Sequence, residues 1–209
     1  MRRGILLLLI AAFVAGCGRR AAPLVGVPAP DRALPAIELA GKHRRIVFRW
    51  DYEENSLIAR GEGAVRASAP DSARVDLYLN GGILVGKAIL IGNTLRSTNQ
   101  EQVQRFLPPP PLMWAALGRL AIPALPDTVV TVEGDVIHAD IGRPATWRVM
   151  IKGNRVMQLS RLSGGRIAEV VTRDAGGRLL YEVPGRRKLW LGITRDEEVP
   201  AFDASIWGP

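Results

Sequence analysis

Cys17 is the only thiol in this chain of 209 residues, and His43 and His138 are its only imidazoles. A thiolate serves as a nucleophile or metal ligand, and an imidazole as a general base or metal ligand. The three groups lie far apart in sequence, and the two histidines lack the H-E-x-x-H spacing of a helical zinc site. No metal and no cofactor are therefore expected. A G-x-S-x-G elbow is absent, and Gly61-Glu62-Gly63 falls within a strand pattern instead of a phosphate-binding loop. Asp51, Glu53, Glu54, Glu62 and Asp76 mostly alternate with apolar residues, as side chains on solvated strand faces do. None of them form an evident acid and base pair. The expectation is a protein without catalytic residues, and not an enzyme.

Cys17 has a more telling setting. Arg2 and Arg3 precede the run GILLLLIAAFVAG, which ends at small residues before the cysteine. A charged start and a short apolar run describe a secretory signal. Ile5 to Gly16 falls short of the roughly 20 residues a spanning helix needs. With no second cysteine, a disulfide framework is excluded. The tetrapeptide Val14-Ala15-Gly16-Cys17 resembles the lipobox of bacterial lipoproteins. That resemblance implies a diacylglyceryl thioether on Cys17, which becomes the first mature residue and holds the protein to a membrane. The other reading is an ordinary signal peptide with an incidental cysteine. Gly18 stands where Asp retains enterobacterial lipoproteins in the inner membrane. The resemblance thus implies a periplasm-facing protein anchored by lipid in the outer membrane.

The expected organisation is a signal peptide at 1–16, then the lipidated cysteine with a flexible tether at 17–36. One β domain follows at 37–209. The tether reading rests on GRRAAPLVGVPAPDRALPA, rich in Ala, Pro and Gly and without period. Loss of Arg2 and Arg3 leaves 26 basic against 20 acidic residues. Export argues against nucleic acid as a partner and leaves anionic headgroups as one. Most basic residues are scattered along strands, with His43-Arg44-Arg45 and Arg186-Arg187-Lys188 the exceptions.

From residue 43 a period of two dominates. Ile46, Phe48, Trp50 and Tyr52 share one face, and Val75, Leu77 and Leu79 another. Gly61 and Gly63 in one strand signal sharp coiling or a close approach. About five strands lead to a proline-broken insert near 99–120, where 99–107 and 112–120 read as short helices. About six strands follow, the first of them read over 128–142, with glycine turns at 164–165 and 176–177.

This order resembles the LolA/LolB superfamily of lipoprotein carriers. The resemblance implies a mainly β (α+β) fold in which a curved antiparallel sheet of about eleven strands forms an unclosed barrel. Short helices would cover its mouth. Phe48, Trp50, Val65, Leu77, Val85, Ile89, Val149 and Ile151 are candidates for the concave side. Phe106, Leu112, Met113, Trp114 and Leu117 are candidates for a lid. These residues form either a cavity for acyl chains of a lipid or lipoprotein, or a packed core. The two functions weighed are acyl-chain binding, in lipid or lipoprotein transport, and a non-catalytic structural or assembly lipoprotein with an unknown protein partner.

Overall fold

Alternation of period two leaves one face of each strand apolar, and antiparallel neighbours joined by short turns bury that face together. The computed structural model describes residues 20–99, 106–123 and 125–208. Cys17 and the signal-like run lie outside the described residues. Before the insert come β1 (Val27–Pro28), β2 (His43–Glu54), β3 (Leu57–Ser68), β4 (Ser72–Leu79), β5 (Leu84–Ile91) and β6 (Thr94–Arg96). After the helix α1 (Pro110–Leu117) come β7 (Thr128–Glu133), β8 (Val136–Ile141), β9 (Trp147–Lys152) and β10 (Arg155–Ser163). The last strands are β11 (Arg166–Arg173), β12 (Leu179–Val183) and β13 (Arg187–Glu198).

Among the described residues these strands form one antiparallel sheet of 13 strands, ordered β1-β7-β8-β9-β10-β11-β12-β13-β2-β3-β4-β5-β6. The sheet is curved and not closed, as expected, with β1 and β6 at its edges. Two features raise the strand number above the expected eleven. Gly134 takes a left-handed φ of 59° and turns 128–142 into the hairpin β7–β8. Val27–Pro28, in the stretch read as tether, pairs with Val132 and Thr131 along the edge of β7. That stretch lies against the sheet from its first described residue. Arg20 bridges Arg166, the Ala21 amide donates to the Gly165 carbonyl, and Arg148 donates to the Ala22 carbonyl.

β2 and β13, both 12 residues long, meet across the middle of the sheet and join its two halves. The apolar face of β2 carries Ile46, Phe48, Trp50 and Tyr52, all buried. Phe48 lies opposite Gly63 and Trp50 opposite Gly61. A Cβ on Gly63 would fall 2.3 Å from the Phe48 ring, and one on Gly61 1.9 Å from the Tyr78 carbonyl oxygen and 2.7 Å from the Trp50 ring. The glycines thus make room for aromatic rings folded over them, the close approach anticipated from their spacing.

The convex side is covered at β4–β5 by the C-terminal residues. Asp203 accepts from the Ser205 amide at 2.8 Å and caps a 3₁₀ turn over Ala204–Trp207. Arg74 donates to the Ile206 carbonyl at 3.2 Å, and Trp207 shares a small hollow with Lys87 and Ile89. Asp76 does not lie on a solvated face: it is 1% exposed and held by Arg66 at 2.6 Å and Arg74 at 3.0 Å. Glu54 is also buried, because it falls in phase with Trp50 and Tyr52; it accepts from the Tyr52 hydroxyl at 2.9 Å and Arg186 at 3.2 Å.

Candidate functional site: an apolar cavity beneath a latched helix

The prolines of PPPPLMW do more than end a helix. Pro110 and Pro111 occupy the first turn of α1, where a missing amide costs nothing and φ is already helical. Leu112 and Met113 amides both donate to the Pro109 carbonyl. Gly118, left-handed at φ 92°, ends the helix after Leu117, short of the expected residue 120. Of the expected helix over 99–107, residues 100–105 lie outside the described residues.

α1 lies across the concave face and is almost uniformly apolar, with Leu112, Met113, Trp114 and Ala115 buried. Between helix and sheet is a cavity of about 70 Å³. Ile46, Phe48, Val65, Val75 and Leu77 form its floor on β2, β3 and β4. Val171, Leu179, Tyr181, Leu189, Leu191 and Ile193 form a wall on β11, β12 and β13. Leu107, Pro108, Met113, Ala116 and Leu117 form the roof. Tyr181 brings the one polar side chain of that lining. Its hydroxyl is turned to Glu169 at 3.4 Å and accepts from Arg187 at 3.1 Å. Burial, with the Glu169 charge, pushes the phenol up to about 12, so it stays neutral and hydrogen-bonded.

Of the expected residues, the structure brings Phe48, Val65, Leu77, Met113 and Leu117 to this cavity. The others go elsewhere. Trp50, Leu112, Val149 and Ile151 are buried in the packed core. Phe106 packs at a tilt against Tyr52, with centroids 4.8 Å apart, and against Trp50 at 6.3 Å. Val85 is half-buried against the core. Ile89 faces the convex side beside Trp207, because its neighbours Ala88 and Leu90 take the inward positions. The wall from β11 to β13 was missed. Alternation in LLYEV and KLWLGI marks those residues as buried, but only the pairing of β13 with β2 brings them beside Phe48.

Two side chains fasten α1 to the sheet. The Trp114 indole donates to the Gly92 carbonyl in the β5–β6 turn at 2.7 Å. Arg173, at the end of β11, donates to the Ala116 carbonyl at 2.7 Å, where the helix C-terminus favours a cation. Burial, with Arg155 and Arg44 close by, holds the Arg173 guanidinium below its ordinary value. The chain beyond the helix is tied to the segment before β2: the Leu120 amide donates to the Ile37 carbonyl, and Arg119 pairs with Glu38 at 3.1 Å.

Among the described residues no convergent polar site accompanies the cavity. His43 Nδ1 lies 3.0 Å from Ser68 Oγ, and His138 Nε2 lies 3.8 Å from Glu133. Among the described residues no group of three or more His, Cys, Asp or Glu is placed to hold a metal ion.

No family model and no curated protein matches the chain. Solved structures do. One is a LolA superfamily protein from Nitrosomonas europaea, 10% identical, matched over 81% of this chain and 92% of the other with a TM-score of 0.53. Another is a DUF1329 family protein from Desulfovibrio piger, 5% identical over 80% and 90%, also at 0.53. At these identities the likeness is one of fold, and the fold is similar to that of the LolA superfamily protein.

Proposed function

We propose that this chain is a periplasm-facing lipoprotein, anchored to the outer membrane by lipid on Cys17, that takes an acyl chain of a lipid or lipoprotein beneath α1. The observation that carries this reading is the apolar cavity, roofed by a helix that hydrogen-bonds to the sheet at Trp114 and at the Ala116 carbonyl. At about 70 Å³ it is half the size of the roughly 150 Å³ cavity that admits benzene. On this reading the structure represents a closed state, and an acyl chain enters as α1 lifts. Each latch bond contributes about 1 kcal/mol net. Each buried methylene returns about 0.8 kcal/mol, so three offset both latches. Binding and release follow from differences in burial, and no covalent chemistry is assigned to the protein.

The test is native mass spectrometry of protein purified from the envelope, with binding of a fluorescent long-chain fatty acid. Bound lipid in the parent chain, and loss of probe binding in Leu77→Trp, are expected. Absence of both lipid and probe binding, in the parent and in an Arg173→Leu, Trp114→Phe chain that lacks both latches, would reject the reading. The tight packing around so small a cavity favours the structural or assembly role as the second reading. Crosslinking that captures one stoichiometric partner, with no bound lipid, would select it.

A further inference from the structure

The antiparallel order gathers the turns at two ends of the sheet. One end holds the turns β2–β3, β4–β5, β8–β9, β10–β11 and β12–β13; the other holds those between β3 and β4, β5 and β6, β7 and β8, β9 and β10, and β11 and β12. The second set is polar, with Asp71, Asn93, Asp135, Asn154 and Asp174. The first set differs. Leu57 and Ile58, at the β2–β3 tip, are 42% and 67% exposed, and Ile83 and Leu84, at the β4–β5 tip, 64% and 52%. Four large apolar side chains thus project from two neighbouring hairpins.

Basic residues flank them. Arg187 and Lys188 lie opposite Glu54 and Glu53, placing the β12–β13 turn directly beside the β2–β3 tip. Arg187 is turned to Tyr181, while Lys188 and Arg186, which pairs with Glu54, are exposed there. Arg166 begins β11 at the next turn along. The start of the described chain is here too, since Arg20 bridges Arg166. Cys17 precedes Arg20 by three residues in sequence.

We propose that this end is a membrane-docking rim: Ile58, Ile83 and their neighbours enter the acyl boundary while the adjacent basic turn meets anionic headgroups. Apolar tips beside cations fit the interface of an anionic leaflet, where each Lys or Arg adds to the attraction. A protein partner would account for apolar tips, but not for their coincidence with the basic turn and the emerging N-terminal segment. Docked in this way, the protein turns Gly92 and Arg173, at the opposite end, and with them both lid latches, away from the bilayer. Only the siting of Cys17 leans on the anchor reading above; the tips and basic turn do not.

The test labels Ile58→Cys, Ile83→Cys and Asn154→Cys in the full chain with an environment-sensitive fluorophore. The parent chain, labelled in parallel, gives any signal from Cys17 itself. With phosphatidylglycerol vesicles bearing a lipid-linked quencher, quenching at 58 and 83 should exceed that at 154 several-fold. Lys188→Gln should weaken vesicle binding about fivefold, and Ile58→Asp with Ile83→Asp, both exposed, should reduce it further. Equal quenching at all three positions, or equal binding to phosphatidylcholine, overturns the proposal. Tips shielded in cells yet never quenched by lipid would assign the rim to a protein partner and overturn it as well. Mass spectrometry of Cys17 separates the two readings. Quenched tips with an unmodified Cys17 support the rim without the anchor, and unquenched tips on a lipidated chain overturn the rim alone.

Discussion

Gly61 and Gly63 show how a single residue can set the shape of the concave face. A Cβ at Gly61 meets a backbone carbonyl that cannot turn aside, as well as the Trp50 ring. Gly61→Ala is therefore expected to cost about 1–3 kcal/mol by overpacking, read as a lower urea midpoint. Tyr181 adds a pH-dependent contribution in the alkaline range. Its phenol titrates near 10 in the unfolded chain and at about 12 when folded, chiefly through burial and then Glu169. Between those values the unfolded chain releases a proton that the folded one keeps, so stability falls as pH rises through this window. The loss reaches on the order of 2 kcal/mol. Unfolding free energies measured against pH should show it, and Tyr181→Phe should remove that portion. At this scale the sequence was legible in part. Paired glycines announced a close approach, and the phase of Glu54 with Trp50 and Tyr52 already marked it for the buried face, against the solvated reading. Asp76 looked solvated because the packing of Arg66 and Arg74 around it leaves no mark on local alternation.

Among the elements, α1 is the one that the proposed entry of an acyl chain requires to move. It packs by apolar contact on a sheet whose own hydrogen bonds it does not share, and Trp114 and Arg173 fasten it. Arg173→Leu and Trp114→Phe should each remove about 1 kcal/mol of closure, raising the open population roughly fivefold. Amide exchange at Leu112 and Met113 should quicken accordingly, while β2 amides stay protected. Equal acceleration in β2 would mean that lid and sheet open as one unit. Alternation and glycine turns placed most strands correctly. The hairpin at Gly134 was missed because its two strands together read as one long alternating run. The edge strand Val27–Pro28 was missed because two residues cannot display a period.

For the whole molecule, an open sheet must manage two edges. β1 covers the edge of β7 with a strand whose proline lacks a donor, a device that discourages further pairing. Removing residues 20–28 should bare that edge and promote self-association, visible as a concentration-dependent increase in mass by light scattering. The sequence by itself determined the β character, the antiparallel order with a helical interruption and the setting of Cys17, since each is written in neighbouring residues. Only the tertiary structure decided which apolar residues enclose space and which merely pack. Phe48 is set opposite Ile193, and lines one cavity with Leu189 and Leu191, through the pairing of β2 with β13, strands separated by more than a hundred residues, while Ile89 is turned to the opposite face. The same long-range pairing put the apolar hairpin tips, the basic turn and the start of the described chain at one end. Local periodicity fixes which face a side chain takes, but the neighbours it finds there depend on how distant strands close.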